Sequence, residues 1–271
     1  LTAANPVCSV AIAIRTVLLT ADPRAKVMAA RAVARDWRLG RLGFAFDVAM
    51  PDRPARPRLP ALLPPNAMPK RGRGGSDKGR IALWHALAHI EFSAIDLALD
   101  AAGRFGGELG EVFTGDFLSV AADEAMHFAL LDRRLRALGS FYGALPAHDG
   151  LWDAASETRH DAAARLAIVP MVLEARGLDV TPAMVERLAA AGDWAGVRLL
   201  ERILDDEIRH VRFGTKHFVA HCESRGESPE YHWKSLVARH FRGSLKPPFN
   251  DSARLAAGLS RSFYAGIALV T

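Results

Sequence analysis

"AADEAMHF" occupies residues 121–128 and "LDDEIRHV" residues 204–211, so Asp-Glu-x-x-His occurs twice in this chain of 271 residues. A glutamate and a histidine three residues apart share one face of a helix, where both can reach the same ion. One such pair in a helical protein means little, because surface and capping pairs produce it readily. The upstream sequence makes the repeat informative. Glu91, in "HIEFSAIDLALD", leads Glu124 by 33 residues, and Glu174, in "VPMVLEARG", leads Glu207 by the same 33. At 1.5 Å per residue, roughly 14 residues out and 14 back around a short turn bring two helical positions level. The chain therefore reads as two helix pairs, each delivering Glu and then Glu-x-x-His. Glu91, Glu124, His127, Glu174, Glu207 and His210 become candidate ligands for two metal ions held between four helices. Four carboxylates nearly balance two divalent cations; without metal, burying them would be costly.

The aspartates of the repeat, Asp123 and Asp206, lie about 100° around the helix from the neighbouring glutamate and are poor co-ligands. A ligand histidine usually donates its other N–H to a carboxylate. In an antiparallel pair, Asp123 is expected to serve His210 and Asp206 to serve His127. The other polar residues of these helices read as structural. His85 and His89 are offset from the Glu91 face and fit core or interface roles. Asp96 and Asp100 fit polar contacts, Arg209 fits solvent exposure or a carboxylate pair, and Cys8 and Cys222 fit packing.

Alanine and leucine are abundant and β-branched or aromatic runs are scarce, which predicts an all-α protein. Long helices are expected over 80–104, 108–138, 154–177 and 193–224, with breaks at Gly106-Gly107, "GSFYGALPAHDG" and "GLDVTPAMVERLAAAGD". In the last, Gly177 and Pro182 should end or distort the third helix within about one turn of Glu174, since both disfavour helix interiors. A break there could admit O2 or substrate, or be an ordinary stop. Asn5-Pro6 and Asp22-Pro23 look like helix starts and Gly40 like a stop. "MPDRPARPRLPALLPPNAMPK" cannot be regular helix or central strand. It reads as an extended arm ending in a flexible "RGRGGSDKGR" hinge, or more weakly as an anion-binding loop ahead of a helix. The expected divisions are an N-terminal helical hairpin (1–45), a proline-rich arm and linker (46–79), a four-helix bundle (80–224) and a C-terminal helical extension (225–271).

The formal charge is +5 and the pI about 9.5, which permits an anionic partner such as RNA without demanding one. Two cysteines form no CxxC pair and no disulfide framework, so a reducing, cytoplasmic setting is expected. No run reaches the ~18 apolar residues of a membrane span, so no membrane partner is expected.

With the six ligands in place, the chain resembles the ferritin-like di-iron carboxylate proteins. More narrowly, "ALAHIEFSAIDLALD", "DEAMHF", "EARGLDVTP", "DEIRHV" and "LKPPFN" are similar to a bacterial ferritin-like family of unassigned function, from about Asp47 to the C-terminus. The resemblance implies a ferritin-like four-helix bundle with additional N- and C-terminal helices, and the same six residues as ligands. It implies iron first, with manganese or zinc as alternatives, because O and N donors do not fix the metal. Three activities compete: an O2-dependent oxidase or hydroxylase of an organic substrate, with an electron donor and with a modified tRNA base among the candidates; a ferroxidase or iron store; and a metal-stabilised structural or binding module. Storage fits poorly with so much sequence on either side of the bundle. A radical-generating subunit fits poorly because Tyr142, Tyr231 and Tyr264 all lie outside the ligand stretches. A homodimer stays open.

Overall fold

The computed structural model describes residues 8–69 and 76–266. These residues are helical with no strand, only two isolated bridges. The chain divides into two compact units, Leu1–Trp152 and Asp153–Thr271.

The first unit is built on α1 (Val10–Leu18), α2 (Pro23–Arg38) and α3 (Asp77–Ala137). Ser9 and Asp22 cap the first two helices by accepting from Ile12 N and Ala25 N. The expected start at Asn5-Pro6 lies outside the described residues, and α1 begins after Ser9. In α2, Val27, Ala30 and Ala34 recur at helical spacing on one buried face, and Gly40, at φ 64°, follows the helix end. The arm between α2 and α3 is not a loose spacer. Its backbone is tied down by Ala55 N to Leu18 O (2.8 Å), Leu63 N to Ala147 O (2.8 Å) and Ala147 N to Ala61 O (3.0 Å). The first half of the glycine-rich hinge expected next, 71–75, lies outside the described residues; the second half is not a hinge, because Ser76 caps α3 and Asp77–Arg80 form its first turn.

Helix α3 is two arms joined at Gly110, whose φ of 91° and ψ of 178° only glycine holds without strain. Contacts fix their register. Trp84 lies under Arg134 (5.6 Å), Phe92 meets Phe128 (5.1 Å), and Glu91 faces His127. Each pair is centred within about one residue of Gly110, so the arms run antiparallel. The break expected at Gly106-Gly107 is therefore displaced. These two glycines stay helical because they make room: a Cβ on Gly106 would overlap the Phe46 ring and Thr114 Oγ1.

The second unit follows α4 (Gly150–Glu157), which straddles the division. It holds α5 (Ala162–Ile168), a π-helical segment (Val169–Glu174), α6 (Ala175–Ala190), α7 (Trp194–Glu223), α8 (Pro229–His240) and the short α9 (Asp251–Ala256) and α10 (Arg261–Tyr264). The third long helix expected over 154–177 is thus broken at 158–161, between the end of α4 and an Asp161 cap, and continues as α5, the π segment and the start of α6. Nor does it stop at Gly177 or Pro182, because α6 runs through both. Proline removes the N–H that would bond the carbonyl four residues earlier, here Leu178. Asn250 Nδ2 donates to that carbonyl at 3.1 Å, which supplies the missing partner. The Asn250 site is anchored by Asp179, which accepts from Asn250 N (2.9 Å) and from both Nε and Nη2 of buried Arg254 (2.8 and 2.7 Å). The residues after α8 therefore satisfy the carbonyl that Pro182 leaves open in α6.

Candidate metal centre

In the first unit, Glu91 projects from the outgoing arm of α3, and Glu124 and His127 from the returning arm. All three are buried, with relative exposures of 5%, 0% and 0%. His127 Nδ1 lies 3.4 Å from Glu91 Oε2 and 3.4 Å from Glu124 Oε2. The three residues offer ligand atoms within 4.8 Å of one another. These separations are long for an N–H···O bond, which favours about 2.9 Å. They suit donors that share an ion: atoms each about 2.1 Å from a metal stand roughly 3 to 3.4 Å apart. Two carboxylates and an imidazole, buried together, are thus a donor set that fits a divalent cation.

Around this trio the expected structural residues are placed as follows. His85 Nε2 accepts from Gly143 N (2.9 Å) and Leu145 N (3.4 Å), so it is neutral and carries its proton on Nδ1. Burial lowers its pKa accordingly. His89 bonds Tyr142 Oη through Nδ1 (2.9 Å) and the His148 carbonyl through Nε2 (3.1 Å). The Nε2 contact requires a proton there, so Tyr142 donates to Nδ1. Burial, then the charge of Arg56, depress His89 to about 4. The rings of Phe92, Phe128 and Tyr142 pack around these residues, with centroids 4.9 to 5.4 Å apart.

One cluster escaped the sequence reading. Asp96, fully buried, accepts from Lys26 Nζ of α2 at 2.5 Å and from Arg56 of the arm. Lys26 also donates to Ala55 O (3.2 Å), and Arg56 reaches Asp149 (3.2 Å). Burial pulls the Lys26 pKa down and pushes that of Asp96 up, while their mutual attraction opposes both shifts. Asp100 plays a lesser version of the role, accepting from Arg104 Nε at 2.7 Å. These carboxylates tie the arm and α2 to α3. Only the lone lysine on the apolar face of α2 hinted at the arrangement.

In the second unit, Glu207 and His210 share a face of α7, with His210 Nδ1 3.7 Å from Glu207 Oε1. His210 is buried and Glu207 partly so. Asp206 accepts from Arg209 Nη2 at 2.9 Å, so Arg209 is ion-paired, not simply solvated. Glu174 is the last residue of the π segment. A π turn spreads the backbone and recurs at functional sites. Two residues accommodate it: Pro170, which lacks an N–H, and Gly214 of α7, where any Cβ would overlap the Pro170 ring. Trp233 Nε1 donates to Ala167 O just ahead of it (3.2 Å). The distortion expected near Glu174 thus precedes that residue. The signal for it was Pro170, four residues upstream.

Cys222 is buried, and its thiol is pushed up to about 11, chiefly by burial. Cys8 is exposed and so is not the packing residue expected. Helix α3 is the one described helix long and apolar enough to cross a membrane by length and composition. Its most apolar window is 67% buried, as in a core helix.

A family model described as "Protein of unknown function (DUF455)" matches residues 19–265. The chain belongs to that family. An uncharacterized protein of Haemophilus influenzae is 43% identical over 213 residues, covering 76% of this chain and 74% of that protein. This DUF455 chain matches no solved structure.

Proposed function

We propose that the protein is a dinuclear metal carboxylate protein with a ferritin-like four-helix bundle, acting as an O2-dependent oxidase or hydroxylase of an organic substrate. The observation that carries the reading is the buried Glu91–Glu124–His127 trio, whose donor atoms are spaced for a shared ion. The equal 33-residue lead in the second unit supports Glu174, Glu207 and His210 as the matching half of one site. Iron is the favoured metal, with manganese or zinc as alternatives. Bound iron would supply the redox chemistry with O2; the chain's residues hold and shape the site. Glu91, Glu124, Glu174 and Glu207 compensate the metal charge, and His127 and His210 add neutral donors. Asp123 and Asp206 orient the imidazoles in the crossed sense, Asp123 toward His210 and Asp206 toward His127. The aromatic packing of Phe92, Phe128 and Tyr142 limits water beside Glu91. The π segment sets Glu174 on widened backbone, where a carboxylate can shift its position as the site is used. An electron donor and a cytoplasmic location belong to the same proposal.

Metal analysis followed by O2-uptake assays on the reduced protein tests it. About two metal ions per chain, and uptake that an organic substrate accelerates, are expected. Rapid uptake with mineral formation would replace the oxygenase reading by iron storage. No bound metal, with Glu124→Ala and Glu207→Ala leaving stability unchanged, would overturn the metal site altogether.

A further inference from the structure

Helix α2 turns a basic stripe outward. Lys26, Val27, Ala30, Val33 and Ala34 face inward. Arg24, Arg31, Arg35 and Arg38 recur at intervals of seven, four and three residues, which on a helix of 3.6 residues per turn places them within about 60° of one another. All four are exposed, as is Arg41 just beyond the helix. Between Pro23 and Phe44, five exposed arginines face one acidic residue, Asp36; the sixth basic residue, Lys26, is buried against Asp96. Asp36 pairs with Arg35 (3.0 Å) and Arg41 (3.2 Å). Arg24, Arg31 and Arg38 make no hydrogen bond or ion pair among the described residues. The stripe is roughly 21 Å long at 1.5 Å per residue, a length over which a nucleic-acid strand presents several phosphates.

A second observation lies at its N-terminal end. Arg24 borders a cleft of about 620 Å3 walled by Val27, Leu59 and Tyr142; Asp22 and Asp132 also line it, and Arg136 at its edge pairs with Asp132 (2.8 Å). That volume lies in the range of small-molecule pockets. Phe128 is almost wholly buried, so Tyr142, partly exposed, is the aromatic face that the cleft offers; such a face beside a line of arginines is the combination that holds an unstacked base and its backbone.

We propose that α2 and this cleft bind a single-stranded nucleic acid, with phosphates along Arg24, Arg31 and Arg38 and one base in the cleft. An anionic membrane would meet the same charges. However, a helix lying in a membrane interface turns its apolar face outward, whereas that face of α2 is buried. Met28 is the one large apolar residue of α2 that is exposed. The inference does not depend on the metal reading.

The test is fluorescence anisotropy of the full-length protein with labelled single-stranded RNA and DNA of about 20 nucleotides, at several salt concentrations. Wild type should bind one or both strands. The plot of log affinity against log salt should lose about 2 units of slope in the Arg24→Ala/Arg31→Ala/Arg38→Ala variant, since each single-strand phosphate contact contributes about 0.7. The three side chains are exposed, so circular dichroism and the thermal melt should match wild type. Two further arms are inorganic polyphosphate of equal charge and vesicles containing phosphatidylserine. Preference for a nucleic acid over polyphosphate supports the proposal. Equal affinity for polyphosphate, tighter vesicle binding lost in the same variant, or an unchanged slope would each overturn it.

Discussion

The two Glu/Glu-x-x-His sets are spaced identically in sequence and mounted differently in space. In the first unit, Glu91 stands on regular helix, and the register of its partner arm is set by one glycine, Gly110, through backbone freedom. In the second, Glu174 stands at the end of a π turn made by Pro170 and accommodated by Gly214 through packing. Each unit is also stapled by a buried ion pair that lies off its glutamates: Lys26–Asp96 in the first, Arg254–Asp179 in the second. Repetition of the sequence pattern therefore does not require repetition of scaffold. Burial differs too: Glu91, Glu124, His127 and His210 are buried, Glu174 and Glu207 only partly.

The comparison breaks most visibly at the metal. Glu124→Ala and Glu207→Ala should each reduce bound metal to the level of a chelated control, measured by elemental analysis of the purified protein. If one variant kept both ions, the two sets would not be equivalent halves. The ion-pair staples come next. Asp96→Ala strands Lys26 and leaves Arg56 with Asp149 alone, and Asp179→Ala strands Arg254; losing one partner of a buried pair costs about 3–5 kcal/mol. Chemical denaturation of each variant should show a loss of that order, and a loss below about 1 kcal/mol would mean that water replaces the carboxylate. The glycines follow, at about 1–3 kcal/mol each, from backbone strain at Gly110→Ala and from overpacking at Gly214→Ala. They differ in rescue. Adding Pro170→Gly should relieve Gly214→Ala, because the overlapping Cβ and Cγ of residue 170 are both gone, and leave Gly110→Ala unrelieved. Additive losses in the Gly214/Pro170 double variant would show that the two residues are not coupled.

The smallest effect expected is a pH dependence of the first unit. Burial depresses the His85 pKa below its ordinary 6.5, so the unfolded chain takes up the proton first as pH falls. The stability this residue provides is complete above about pH 6.5 and declines below it toward the folded pKa. Protonation of Nε2 also removes the acceptor for Gly143 N and Leu145 N. Thermal melts between about pH 7.5 and 5.5 should fall less steeply for His85→Gln, which has no such proton to gain. A wild-type slope identical to that of the variant would exclude His85 as the source.

The parts of the structure legible in sequence are those fixed by local periodicity. The Glu/His pairs on one helix face follow from i, i+3 spacing, and α7 lies within one residue of the limits expected for the fourth helix. The misread parts are those where distant residues decide. Gly106 and Gly107 look like a turn, but serve Phe46, some 60 residues earlier. Pro182 looks like a helix stop, but the carbonyl it orphans is taken by Asn250 from far along the chain. Asp96 is one more polar residue in the sequence, and only the fold shows it between Lys26 and Arg56. Local pattern specifies an element; long-range compensation decides whether a breaker breaks it.

The clamp on Asp96 constrains how this chain could be recombined. Lys26 and Arg56 are delivered by sequence ahead of α3, and Arg104 of α3 itself holds the Pro51 carbonyl at 2.6 Å. A crossover between the arm and α3 would bring in a foreign leader lacking these cations and leave a stranded carboxylate in the longest helix. Such chimaeras would be purged unless the leader brought its own lysine and arginine to the same place. The segment before α3 and the outgoing arm of α3 should therefore be inherited together.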